Sequence, residues 1–212
     1  MYIPKAFHEE DRATLHALMQ QYSFATLITQ HDDRPFASHL PLILHADDGP
    51  YGTLVGHMAR ANPQWRDFAT GQEVLAIFQG PHAYVSPSWY EVHPSVPTWN
   101  YTAVHAYGVP QVITDQATLQ ALLRTLVETY EAPSARPWAF ELPPEYLQGM
   151  LQGIVGFTMP ITRLEGKYKL SQNRPEQDRP RVIAALETQG DALSAGVAAL
   201  MRQRSAAERV SS

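Results

Sequence analysis

Residues 53–80 read TLVGHMARANPQWRDFATGQEVLAIFQG, and the way this stretch folds decides the architecture. TLVGH, 53–57, has strand character. Asn62 is a favoured helix cap, and Pro63 follows at the first helical position, where its missing N–H costs nothing. Trp65, Phe68 and Ala69 then share one face at spacings of three and four, and Gly71 supplies a C-terminal stop. EVLAIFQG, 73–80, returns to strand. The stretch is therefore strand, helix of about two turns, strand. A helix start presents unpaired N–H groups and a positive partial charge, so with Arg60 beside it the junction suits a phosphate; the competing reading is a capped helix with a surface arginine.

Outward from this centre the chain is rich in strands. EEDRATLHALMQQY, 9–22, places Leu15, Leu18, Met19 and Tyr22 on one helical stripe, and SFATLIT, 23–29, turns to strand. HDDRP is a turn into FASHLPLIL, 36–44, read as one strand with Phe36, Ser38, Leu40, Leu42 and Leu44 on one face and Ala37, His39 and Ile43 on the other. A second turn, DDGPYG, leads into TLVGH. After EVLAIFQG come a loop rich in proline and aromatics and a long extended stretch, TWNYTAVHAYGVPQVI. Strands joined by tight turns with one helix tucked between describe a small antiparallel barrel better than an alternating parallel sheet.

Beyond Asp115 the period changes. Leu119, Leu122, Leu123, Leu126, Val127 and Tyr130 recur at helical spacing behind an aspartate cap, which predicts a helix over 116–130. APSARPW ends it, a second helix is expected around PPEYLQGMLQGI, and Val155, Phe157, Met159 and Ile161 alternate as in one more strand. Two Ala-rich helical stretches follow near 180–188 and 192–204. The expected organisation is a barrel domain over 1–175 and a helical C-terminal extension over 176–212.

Composition narrows the function classes. The 212 residues are 44% hydrophobic and 17% charged, with a net charge of −5 and no cysteine. That balance is ordinary for a soluble domain, and thiolate catalysis, disulfides and cysteine-ligated metals are excluded. No apolar run approaches the ~20 residues of a membrane helix, and the N-terminus lacks a signal-peptide pattern, so a cytoplasmic location is expected. The acidic charge gives no general attraction to nucleic acid, so DNA binding is an open partner reading that the charge does not support.

All nine histidines fall in the first half, at 8, 16, 31, 39, 45, 57, 82, 93 and 105, yet none shows a metal-ligand spacing, and no metal ligand is assigned. His39 and His57 draw notice because each sits in a strand near a turn; a structural histidine is the alternative. No nucleophile elbow, Walker loop or dinucleotide fingerprint is present, and no catalytic residue is assigned. Two segments remain. Residues 78–108 set Tyr84, Trp89, Tyr90, Trp99, Tyr101 and Tyr107 among polar groups, which suits a flat ligand with polar edges or a dimer interface. GKYKLSQNR, 166–174, places Lys167 and Lys169 on one strand face ahead of Ser171, Gln172, Asn173 and Arg174, a donor-rich tail suited to an anion or a solvated basic edge.

MYIPKAF at 1–7, HLPL at 39–42, NPQWRDF at 62–68, FQGPHAYVSPSWY at 78–90, VPTWNYTAVHAYG at 96–108, GIVGF at 153–157 and KLSQNR at 169–174 stand in the order of the PaiB family, which the chain resembles over residues 1 to about 175. That family is similar to the pyridoxamine-phosphate-oxidase-like flavoproteins. The resemblance implies a six-stranded antiparallel split β-barrel with peripheral helices, a homodimer, and FMN held at the subunit boundary. It implies a negative transcriptional regulator acting through flavin or a partner. The wider superfamily leaves two alternatives, an FMN-dependent oxidoreductase and a haem-binding split barrel. Carried onto this sequence, the flavin phosphate falls to Gly56, His57, Arg60, Ala61 and Asn62. The ring falls along His39 and Leu40, and Gln79, Trp99, Asn100, Lys169 and Gln172 fall to its polar edge or to contacts across the dimer.

Overall fold

A computed structural model describes residues 1–210. The last two residues of the expected C-terminal extension, 211 and 212, lie outside the described residues. Besides two single-turn 3-10 helices, Lys5–Phe7 and Pro87–Trp89, the elements in chain order are β1 (His8–Glu9), α1 (Arg12–Gln21), β2 (Phe24–His31), β3 (Arg34–Pro41), β4 (Ile43–His45), β5 (Thr53–Ala59), the longer 3-10 helix (Pro63–Thr70), β6 (Val74–Val85), β7 (Thr98–Gly108), β8 (Gln111–Val112), α2 (Gln116–Glu131), α3 (Pro144–Gln152), β9 (Ile154–Lys169), α4 (Asp178–Glu187) and α5 (Ala192–Val210). Six strands are seven residues or longer, namely β2, β3, β5, β6, β7 and β9, and the other three are short. The strands hydrogen-bond in the order β3-β2-β6-β7-β9-β5-β4.

The chain forms two compact units. One comprises residues 16–78 and 105–164, the other 1–15, 79–104 and 165–212; β6, β7 and β9 each run from one into the other. In the first unit β2 and β3 make a hairpin in register from Phe24↔Pro41 to His31↔Arg34. Its two turn residues, Asp32 and Asp33, both have positive φ, as a two-residue turn matching the strand twist requires. The expected single strand 36–44 is two. The alternation of faces continues unbroken, with Leu40, Leu42 and Leu44 all buried, but at Leu42 the backbone changes partner. Its N–H donates to the Ser23 carbonyl at 2.9 Å. β3 then pairs with β2 and β4 pairs with β5.

On β5, Val55 packs with Leu119, Leu122 and Leu126 of α2 and Leu151 of α3, so the helical stripe expected over 116–130 covers this strand. β5 pairs with β9 from Thr53↔Pro160 to Ala59↔Ile154, and the predicted alternation on β9 holds: Val155, Phe157, Met159 and Ile161 are all buried.

In the second unit β1 pairs with β9 at His8↔Lys167. The loop expected after Gly80 begins only after Val85, because Ala83 and Val85 are buried and keep β6 extended. Residues 90–97 are pinned by the start of α4: buried Asp178 accepts from the N–H groups of Glu91 and Val92, at 2.8 and 3.2 Å, and from Arg174 at 2.8 Å. Those charge-assisted bonds keep the Asp178 carboxyl below its ordinary pKa although burial acts the other way. Val182, Ile183 and Leu186 of α4 and Val197, Ala198 and Met201 of α5 are buried, so the Ala-rich stretches are amphipathic helices with a packed face.

Candidate functional site

The junction between β5 and the 3-10 helix is built as its sequence predicts. The Asn62 side-chain oxygen accepts from the Gln64 N–H at 3.1 Å, Pro63 stands at the first helical position, and Gly71 closes the helix in the left-handed conformation, φ 67°. The underside is locked to the β2–β3 hairpin. Gln64, fully buried, donates to the carbonyls of Leu27 and Phe36 at 3.0 and 3.2 Å. Asn62 donates to the Ser38 hydroxyl at 2.8 Å, and Asp67 accepts from Thr29 and meets His31, both at 2.7 Å.

This locking changes what the junction offers a ligand. The cap takes the Gln64 N–H and Pro63 has none, so fewer free N–H groups face outward than the bare sequence suggests. Arg60 is exposed, but it also braces the end of α3: Nε donates to the Gln152 carbonyl and Nη2 to the Ile154 carbonyl, each at 2.7 Å. Its backbone N–H donates to the Gly153 carbonyl at 2.8 Å. Gly56 answers to packing, because an added Cβ would lie 2.6 Å from Leu42 Cδ2 and 3.3 Å from the Pro41 carbonyl oxygen. Ala61 is exposed. His57 is half-buried, and its Nδ1 is buried with no hydrogen-bond partner. Burial lowers its pKa, which favours the neutral imidazole.

His39 and Leu40 lie on opposite faces of β3. Leu40 is in the core; His39 is exposed, 3.1 Å from the Thr26 hydroxyl and stacked on Phe24 at 6.4 Å between ring centres. Its face continues through Ile28 and Ala37 to Leu75 and Ile77 on β6, an apolar sheet surface with Phe24 69% exposed.

The remaining sequence candidates lie in the other unit. Asn100 is fully buried and donates to Ser171 at 2.9 Å, and Gln172 accepts from the Leu170 N–H at 2.7 Å and donates to the Tyr168 carbonyl. Both serve the turn after β9, where Ser171 has φ 64°. Gln79 is exposed, 3.4 Å from His82 Nδ1, and Trp99 is exposed against Tyr84 in a T-shaped pair. Lys169 donates to the Thr98 hydroxyl and the Trp99 carbonyl. Burial, and then the charge of Lys167, lower its pKa. Of the aromatics expected at an interface, Tyr90 is buried beneath the Arg174 guanidinium at 4.0 Å and is not available. Lys167, on the same strand face as Lys169, is buried and donates to the Tyr2 carbonyl at 3.0 Å.

The candidates thus form two sets. Gly56, His57, Arg60, Ala61 and Asn62 fall within residues 56–62, with His39 and Leu40 on β3 of the same unit, and the five from Gln79 to Gln172 belong to the other. Tested against a phosphorylated flavin, the first set fits in two respects: an exposed guanidinium beside small exposed residues, and a buried imidazole nitrogen lacking a partner. Among the described residues no group of three or more His, Asp or Glu could hold a metal ion, and no helix is long and apolar enough to cross a membrane.

A strand-rich fold with a capped short helix at a basic junction defines a class, and the chain belongs to the family described as "Putative FMN-binding domain", which matches residues 1–163. As the PaiB-type motifs imply, it is 40% identical over 205 residues to the protease synthase and sporulation protein PAI 2 of Bacillus subtilis, spanning 96% of this chain and 98% of that one. An uncharacterised protein of Emericella nidulans is 33% identical over 204 residues, 79% of this chain and 81% of its own. Among solved structures, the flavocytochrome Anf3 of Azotobacter vinelandii superposes with a TM-score of 0.62 at 14% identity, over 84% of this chain and 78% of that one. The conserved hypothetical protein Rv2991 of Mycobacterium tuberculosis gives 0.59 at 13% identity, over 83% and 95%. At such identities the likeness concerns the fold alone, and that fold is the mixed α+β split barrel expected from the sequence.

Proposed function

We propose that this chain is a homodimeric, cytoplasmic FMN-binding protein of PaiB type that acts as a negative transcriptional regulator through flavin or a partner protein. The observation that carries this reading is the 40% identity to PAI 2 over nearly the whole of both chains, since a relative whose name refers to protease synthesis and sporulation matches from end to end rather than in one motif. The family description supports FMN as the ligand. Arg60 is the residue for the phosphate, with exposed Ala61 leaving room for the approach and Asn62 fixing the helix start. His57 offers its unpartnered ring nitrogen, and His39 borders the ring. When bound, FMN supplies redox chemistry; the chain's part is to orient it and to shield it from water.

Dimerisation rests on the open face of β2, β3 and β6, where Phe24, Ile28, Ala37, Leu75 and Ile77 form an apolar surface of the kind that monomers cover by association. The absorption spectrum of protein purified from its native host tests the cofactor. Flavin bands with FMN released on denaturation are expected; a haem Soret band, or colourless protein that takes up no added FMN, contradicts the reading. Transcript profiling of a strain lacking the protein tests regulation, with a set of transcripts expected to rise and to fall again on complementation.

A further inference from the structure

An apolar cavity of about 590 Å³ opens between the outer face of the 3-10 helix Pro63–Thr70 and the turn from β7 into β8, wholly within one compact unit. Trp65, Phe68 and Ala69 line it from the helix, at the spacings of three and four that the sequence shows, and Val109, Pro110 and Val112 line it from the turn. Phe68 is buried and packs on Phe157 at 5.1 Å between ring centres, which fixes the floor. The Trp65 indole N–H is taken by the Arg60 carbonyl at 3.0 Å, so that ring offers the cavity carbon surface and no free donor. Small residues at the helix end leave the space open: Ala69 is exposed, and a Cβ added at Gly71 would meet nothing within 4 Å. Such a size, with apolar walls and few polar groups, is that of a small-molecule site. The polar side chains on the lining are those of Arg66 and Gln111, both exposed. Arg66 lies over the ring of its neighbour Trp65 at 5.4 Å and, among the described residues, makes no ion pair or hydrogen bond. The adjacent carboxylate is spent elsewhere, since Asp67 accepts from Thr29 and meets His31, both at 2.7 Å. A guanidinium without counter-charge at the mouth of an apolar space matches a carboxylate on an apolar chain, because the planar fork holds both carboxylate oxygens while the chain leaves water.

We infer that this cavity binds an aliphatic monocarboxylate of medium chain length, its chain against Phe68 and the β7–β8 turn and its carboxylate on Arg66. None of the residues proposed above for FMN in the same unit, His39, His57, Arg60, Ala61 and Asn62, lines the cavity. The site therefore does not rest on the flavin reading.

Calorimetric titration of hexanoate, octanoate and the neutral octan-1-ol into the protein, as purified and after saturation with FMN, tests it. Octanoate is expected to bind in both preparations, roughly tenfold tighter than hexanoate for its two further methylenes, and roughly tenfold tighter than octan-1-ol for its charge. Arg66→Gln should abolish the advantage of octanoate over octan-1-ol and leave octan-1-ol itself unchanged, which shows at once that the variant is folded and that the charge is what it lacks. Ala69→Phe, whose ring would fill the cavity from an exposed position, should weaken both ligands roughly tenfold or more while thermal melting is retained. Failure of octanoate to bind, an affinity indifferent to chain length, an advantage over octan-1-ol that survives Arg66→Gln, or displacement of octanoate by FMN would overturn the inference, whether or not the flavin reading holds.

Discussion

The side-chain amide of Asn62 donates to the Ser38 hydroxyl at 2.8 Å, so the residue that caps the 3-10 helix also ties it to β3. Asn62→Ala removes the cap and the tie and is expected to cost about 1 kcal/mol or somewhat more. Asn62→Asp retains the capping oxygen and loses only the donor. Thermal melts should therefore rank wild type above Asp and Asp above Ala; equal melting for Ala and wild type would show that the helix start is held by packing alone.

His31 contributes a pH dependence to the other end of the same helix. Its bond to Asp67 raises its pKa above the ordinary 6.5; burial acts against it, the charges of Asp67 and Asp32 add to the rise, and that of Arg66 opposes it. A histidine whose folded pKa is raised stabilises fully below its unfolded pKa and loses that contribution as pH rises through the folded value. The stability advantage of wild type over His31→Gln should be greatest near pH ~5 and shrink toward pH ~8. Melting temperatures of the two proteins across that range measure it, and an advantage that grows with pH would refute the assignment.

Association should occur through the β2–β3–β6 face. Sedimentation at micromolar concentration is expected to give a dimer, and Phe24→Glu, which sets a charge at the exposed end of the apolar surface, is expected to give a folded monomer. A dimer unaffected by Phe24→Glu would place the interface elsewhere.

Tight binding to duplex DNA by the isolated protein is not expected. Several basic side chains are committed internally: Arg60 to the end of α3, Arg174 to Asp178, and Arg202 to Glu187 at 2.8 Å. With a net charge of −5 little counterion-release free energy is available. A mobility-shift titration should show no sequence-specific complex in the nanomolar range; a salt-sensitive one would make the protein a direct repressor.

Local chemistry was legible where it decides structure by itself. Asn62, Pro63 and Gly71 marked both ends of the 3-10 helix, and the stripe from Leu119 to Leu126 marked α2, because caps and periodicity are properties of neighbouring residues. The break at Leu42 was not, since hydrophobic alternation records which face is buried and says nothing of which strand pairs alongside. The end of β6 falls later than expected because the stretch after Gly80 is rich in proline and aromatics, yet Ala83 and Val85 within it are buried. Least legible were engagements across long separations. Arg60 looked like a free cation beside a helix, yet two of its donors go to carbonyls 92 and 94 residues away, and no local pattern announces that.

The most direct test of the account is a titration of FMN and riboflavin into wild type, Arg60→Ala and Arg60→Lys. If the exposed Arg60 guanidinium holds the phosphate, wild type should prefer FMN, and Arg60→Ala should lose about 1.5–3 kcal/mol of FMN affinity, roughly tenfold or more, while riboflavin binding scarcely changes. Arg60→Lys keeps the charge but not both carbonyl bonds, so it should retain most of the preference while melting at a lower temperature. Equal affinity of wild type for the two ligands, or equal losses of both in Arg60→Ala, would contradict the account and leave Arg60 as a brace for α3.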